Sequence, residues 1–155
     1  MSQNAKLVLQ RTDSSNPDFK YLVTLMDEDL RKRYGVAQSA YEGYNDVGDI
    51  TTILVAYVDQ EAVGCGCFRK FNDNTVEIKR MYVKPAYRGQ GIAARILTDL
   101  EAWAQERGYS HSILETGKKQ PEAIHLYEKS GYAITINYGP YTGLDNSVCM
   151  RKKLS

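Results

Sequence analysis

The sequence predicts a layered α+β fold in which a central sheet carries helices on both faces. Three observations point there. Between Thr51 and Val83, β-branched and aromatic residues are interrupted only by short polar turns, the mark of an antiparallel meander. Ile92, Ile96, Leu97, Leu100, Trp103 and Ala104 then recur at helical spacing. Finally, a chain of 155 residues with 43% apolar side chains suits one hydrophobic core, and no repeat, low-complexity tract or linker divides it. Residues 1–155 therefore read as a single domain.

The elements follow in order. Lys6 to Arg11 alternates Leu7 and Leu9 with polar neighbours and reads as a first strand. Asn16 to Gln38 places Phe19, Leu22, Val23, Met26 and Leu30 at helical spacing, with Ser15 or Asn16 as cap and Pro17 at the first position. Tyr41 to Asp49, rich in Gly, Asn and Asp, reads as a loop. Thr51–Val58, Ala62–Phe71 and Thr75–Val83 are three strands, turning at Asp59-Gln60 and at Phe71 to Asn74. After the amphipathic helix, Gly108 supplies a stop. Tyr109–Glu115 is a short strand and Pro121–Ser130 a helix ended by Gly131. Tyr132–Tyr138 and Val148–Leu154 are two last strands joined by a loop.

Composition narrows the function. No apolar stretch approaches the roughly 20 residues of a membrane helix, and Met1 to Gln10 has no basic region followed by an apolar run. Cys65, Cys67 and Cys149 form no disulfide framework, so reduced thiols and a cytoplasmic location are expected. A formal net charge of +1 argues against bulk nucleic-acid binding. With only His111 and His125, a metal site is not expected. Residues 1–60 carry six basic and nine acidic side chains, while residues 61–155 carry fourteen and ten. That asymmetry suits a basic half holding a phosphorylated ligand and an acidic half meeting a cation, and it equally suits chance placement of surface charge.

The chemistry concentrates between Glu77 and Ala93. Gly89 and Gly91 open a helix directly after a strand and loop, where the backbone can approach a ligand closely and unpaired N–H groups meet the positive end of the helix dipole. Arg88 adds a forked cation at the same spot. The arrangement is a pyrophosphate cradle, without the Gly-Lys-Ser/Thr of a Walker loop or a full dinucleotide fingerprint. The preceding strand shifts its apolar face, from Val76 and Ile78 to Met81 and Val83. One extra residue, a β-bulge, produces that shift; a strand buried on both faces would need none.

Arg88-x-x-Gly91-x-Ala93 after a strand resembles the acetyl-CoA motif of the GNAT superfamily. Leu114 to Gly117 and Gln120-Pro121-Glu122-Ala123-Ile124-His125-Leu126-Tyr127, running on to Gly131-Tyr132, are similar to the family's second signature. The likeness covers roughly residues 50–155. It implies a GNAT fold, a mostly antiparallel, mixed sheet of about seven strands, and an N-acetyltransferase that moves an acetyl group from acetyl-CoA to a primary amine by direct attack in a ternary complex. It also implies roles: Met81, Tyr82 and Val83 for the pantetheine arm; Arg88, Gly89, Gln90, Gly91, Ile92, Ala93 and Ala94 for the pyrophosphate; Gln120 where the family commonly has an Asn beside the cofactor. Tyr127 falls at the family's frequent general acid, and Glu77 at the position of the histone acetyltransferases' general base, which ordered water replaces in other members.

A small amine is the expected acceptor. A protein N-terminus or lysine, and a non-catalytic acyl-CoA sensor, remain alternatives, as do a monomer and a homodimer. Asp27, Glu28 and Asp29 on the first helix form a candidate acidic rim for a cationic acceptor, or a solvated helix face. Cys65 and Cys67 read as core residues, His125 as a surface residue or one at the cofactor's edge, and Tyr138 to Tyr141 as an aromatic lid or a rigid loop.

Overall fold

The computed structural model describes residues 6–35 and 50–154. The expected order of elements is found: β1 (Leu7–Thr12), α1 (Pro17–Tyr34), β2 (Ile53–Val58), β3 (Glu61–Asn72), β4 (Thr75–Val83), α2 (Ile92–Glu106), β5 (His111–Gly117), α3 (Pro121–Lys129), β6 (Ala133–Thr135) and β7 (Ser147–Lys153). The loop expected over 41–49 lies outside the described residues. The seven strands form one sheet in the order β1-β2-β3-β4-β5-β7-β6. Only β4 and β5 run parallel, as the connection through α2 requires.

Local chemistry explains most boundaries. The Asn16 side chain accepts from Phe19 N at 3.0 Å and caps α1, with Pro17 at the first position. Asp59 and Gln60 both take positive φ (50° and 71°), the geometry that matches a two-residue hairpin to strand twist. Two elements are shorter than their sequence patterns. α1 stops at Tyr34, where Gly35 (φ 56°) donates back to Arg31 O. β6 ends at Thr135, because the segment beyond it is held differently. There the Asn137 amide reaches the carbonyls of Tyr141, Leu144 and Ser147 at 3.2 to 3.3 Å, and Gly139–Tyr141 coils into a 3₁₀ turn.

The sheet has a core on each face. On one, α1 lays Phe19 and Leu22 over Ile53, Val55, Cys65, Cys67 and Tyr82. On the other, Ile92, Ile96, Leu97, Leu100 and Trp103 of α2 and Tyr127 of α3 pack on Leu54, Val63, Ile78, Val83 and Leu114. Ile78 and Val83 share this core, and Met81 packs against it, so the apolar face does shift by one residue. The cause is a bulge. Cys67 pairs with Lys79 and Cys65 with Tyr82, leaving Arg80 and Met81 opposite the single residue between them. Arg80 sits at φ +58°, left-handed without being glycine.

Beyond this point β4 and β5 part. Their pairing runs only from Thr75–Ile78 to His111–Leu114, although β4 continues to Val83 and β5 to Gly117. The cleft of the next section opens in that divergence.

Candidate active site

Two cavities meet where β4 and β5 separate. The larger, about 520 Å³, runs along Met81, Tyr82 and Val83, past Arg88, Gly89 and Gly91 to Ile92, Ala93 and Ala94, with α3 from Gln120 to Ser130 on its other side. The smaller, about 80 Å³, is lined by Glu77, Lys79, Arg80, Glu115, Tyr141 and Asn146. Met26, Leu30, Met81, Gln120, Ala123 and Tyr127 line both. The structure thus brings every residue predicted for the cofactor into the larger cavity except Gln90, which lies exposed between the two glycines.

The larger cavity suits an elongated phosphorylated ligand. Gly89 and Gly91 both stand at φ +80°, a conformation that costs other residues about 1–2 kcal/mol. No side chain caps α2 at Gly91, and its first turn holds no acidic residue. The first internal bond runs from Arg95 N to Gly91 O at 3.1 Å, so the amides before it point out of the helix toward the cavity mouth. Arg88 is pinned rather than free. Its Nε donates to Val83 O at 2.8 Å and its guanidinium lies 5.6 Å from the Tyr82 ring centre.

The α3 end is set by an anchor the sequence reading missed. The Tyr34 hydroxyl, from the last residue of α1, donates to Gln120 Oε1 at 3.3 Å and accepts from Lys119 N at 3.2 Å. Gln120 Oε1 also accepts from Gly117 N at 3.3 Å. Gly117 is required here, since a Cβ would fall 1.6 Å from the Tyr34 hydroxyl oxygen.

The smaller cavity carries the titratable groups. Tyr127 is 6% exposed. Burial, and next the charge of Glu115, hold its pKa above the ordinary value, so its proton is retained. Among the described residues its hydroxyl makes no hydrogen bond. Glu77 is 2% exposed and both its oxygens are engaged: Arg69 Nε donates to Oε1 at 2.9 Å and the Tyr138 hydroxyl to Oε2 at 2.7 Å. Glu115, which sequence reasoning passed over as the end of a strand, is different. Its Oε2 accepts from the Ser147 hydroxyl at 2.8 Å. Desolvation first, opposed by that hydrogen bond and by Lys79, raises its pKa to about 7. The signal in the sequence was faint: a carboxylate directly after the apolar pair Ile113 and Leu114, six residues before the α3 start.

The other candidates fall into place. Cys65 and Cys67 are core thiols donating to the carbonyls of Arg80 and Lys79. Cys149 is buried opposite Glu115, and burial raises its pKa to about 11. His125 lies exposed on the wall of the larger cavity, and the His111 ring nitrogen Nδ1 meets the Ser110 hydroxyl at 2.9 Å. Tyr138 and Tyr141 pack edge to face, centres 5.5 Å apart, and form a fixed wall. The expected acidic rim is largely spent on cations: Asp27 pairs with Arg80 at 2.6 Å, and Asp29 with Arg33 at 3.5 Å. No helix among the described residues is long and apolar enough to cross a membrane.

Comparison with known proteins agrees with this geometry. The model of the acetyltransferase (GNAT) family matches residues 18–132. Over 102 residues the chain is 39% identical to the IAA acetyltransferase of Azospirillum brasilense, covering 65% of this chain and 67% of that protein. It superposes with a TM-score of 0.76, at 28% identity, on a Klebsiella pneumoniae subsp. pneumoniae MGH 78578 protein described as an acyl-CoA N-acyltransferase, over 99% of this chain and 100% of that one. A Bacillus anthracis str. Ames protein solved in complex with acetyl coenzyme A matches at 25% identity and a TM-score of 0.58, over 65% and 61% of the two chains. The chain belongs to the acetyltransferase (GNAT) family and is an acyltransferase.

Proposed function

We propose that this member of the GNAT family transfers an acetyl group from acetyl-CoA to the primary amine of a small molecule, by direct attack in a ternary complex. One observation carries the reading: Tyr127, its hydroxyl without a hydrogen-bond partner among the described residues, stands where the elongated cavity meets the polar one. When bound, acetyl-CoA supplies its acyl group already activated as a thioester.

The chain supplies the rest. Amides at the start of α2 hold the pyrophosphate in the positive end of the helix dipole. The β4 edge at Met81 to Val83, left unpaired by the parting of β5, runs beside the pantetheine arm. Backbone N–H groups at the bulge polarise the thioester carbonyl. Glu115 takes a proton from the substrate ammonium, freeing the nitrogen lone pair to attack the thioester carbonyl, and as the C–S bond breaks Tyr127 gives its own proton to the departing sulfur. Glu115 is preferred to Glu77 as base for two reasons. Its pKa of about 7 matches a base working near neutral pH. The oxygens of Glu77, in contrast, are occupied by Arg69 and Tyr138.

Tyr127→Phe tests the assignment. The variant should keep its affinity for CoA by calorimetry while acetyl transfer to small amines falls about 10²-fold or more. Equal losses in binding and turnover would make Tyr127 a packing residue and remove the basis of the mechanism.

A further inference from the structure

One buried donor atom of a residue lining the polar cavity has no hydrogen-bond partner among the described residues. The bulge turns Arg80 out of the regular strand and its side chain, 8% exposed, lines the cavity. The terminal Nη1 is paired with Asp27 at 2.6 Å, yet Nε is buried without a hydrogen-bond partner among the described residues. A charged donor buried and unsatisfied is costly, and a native structure retains one where something else completes it. The group that completes it must be an acceptor, and beside a guanidinium an anion is favoured.

The surroundings agree on the sign. Lys79, 6% exposed, lies next in sequence in the same cavity, its ammonium 3.4 Å from the Tyr141 hydroxyl. Asp27 and Glu77 are both committed to arginines, Arg80 and Arg69. Among the described residues of the lining, Glu115 is the remaining carboxylate. The lining therefore sets donors, Arg80 and Lys79, alongside a carboxylate, Glu115, a pairing that matches the two ends of a zwitterion. The space, about 80 Å³ within the described residues, admits only a small one.

We infer that the acceptor is a small amino acid whose carboxylate is bound by Arg80 Nε and Lys79 while its amine faces Glu115. This rests on the acetyl-transfer reading above and adds the substrate class. Arg80 acts here as a binding residue, and its left-handed backbone is what aims it.

The test separates the two readings. Purified protein with acetyl-CoA is assayed against small amino acids, their amides and the corresponding decarboxylated amines. Amino acids should be acetylated with at least a tenfold higher kcat/KM. In Arg80→Lys, which keeps a cation for Asp27 but loses the Nε donor, KM for the amino acid should rise about tenfold. KM for the decarboxylated amine should rise by a much smaller factor than KM for the amino acid, and Trp103 fluorescence should report an intact fold. Amides or plain amines used as well as amino acids would overturn this inference and leave the acetyltransferase reading standing. So would an unchanged amino-acid KM in Arg80→Lys. No transfer to any amine, with acetyl-CoA still bound, would overturn both.

Discussion

Replacing Glu115 by Gln should stabilise the protein and impair it together. The carboxyl is held at a pKa of about 7 against an ordinary 4.5, chiefly by desolvation. Keeping it ionised in the folded state therefore costs on the order of 3 kcal/mol. The sign follows from proton counting. Between pH 4.5 and about 7 the folded protein holds a proton that the unfolded chain has released, so stability falls as pH rises through that window and levels off above it. Gln removes the titration while still offering an oxygen to the Ser147 hydroxyl. In urea unfolding followed by the single tryptophan, Trp103, buried edge-on against Phe68 at 5.8 Å, the variant should gain on wild type by up to about 3 kcal/mol between pH 4.5 and 8. Over the same range wild-type kcat/KM should climb through an inflection near 7, and the variant should lose that inflection and about 10²-fold or more in rate. A stability gap that does not widen with pH would refute the buried, unfavourable charge. An inflection retained in the Gln variant would refute Glu115 as the base.

Two further substitutions probe the frame around it. Gly91→Val places a β-branched residue at φ +80°, but a Cβ there meets nothing within 4 Å. The fold should therefore survive a strain cost of about 1–2 kcal/mol while calorimetric CoA affinity drops more than tenfold, and unchanged affinity would remove the cradle assignment. Gly117→Ala drives a Cβ into the Tyr34 ring, 1.6 Å from its oxygen and 2.5 Å from Cζ. The displaced hydroxyl releases Lys119 N and Gln120, so denaturant unfolding should show a loss of about 1–3 kcal/mol, and a neutral variant would show that Tyr34 is not fixed.

Legibility in the sequence followed the range of the interactions. Element order and β4's limits, Thr75 and Val83, came from local alternation and turns, and the bulge came from the slip between Ile78 and Met81 alone. Glu115 was invisible because its environment is assembled from afar: Ser147 lies 32 positions away, and Lys79 and Glu77 come from the neighbouring strand. The same holds for Glu77. The family resemblance marked it as a candidate, but only the fold shows Tyr138, 61 positions on, closing one oxygen. β6 was overestimated because Tyr132 to Tyr138 looks like a strand locally, whereas Asn137 is drawn to three carbonyls of the following loop.

The bulge at Arg80 would link the two proposed binding sites through one backbone distortion. A regular β4 would continue its ladder with β3 residue for residue, and the next residue after Lys79 would lie on the opposite face, over α2. The extra residue instead returns Met81 to that core and leaves Arg80 in the left-handed region, directed toward Asp27 of α1. A left-handed arginine is unfavourable by about 1–2 kcal/mol, and its unpaired Nε adds to that cost. Glycine at this position would relieve the backbone and remove the orphaned donor at once. Glycine would also forfeit the ion pair with Asp27, so that pair accounts for the guanidinium but not for its orphaned Nε. In the proposed reading a ligand anion would complete Nε, which would put the acceptor's binding group on the same turn of chain whose next three residues, Met81 to Val83, border the larger cavity.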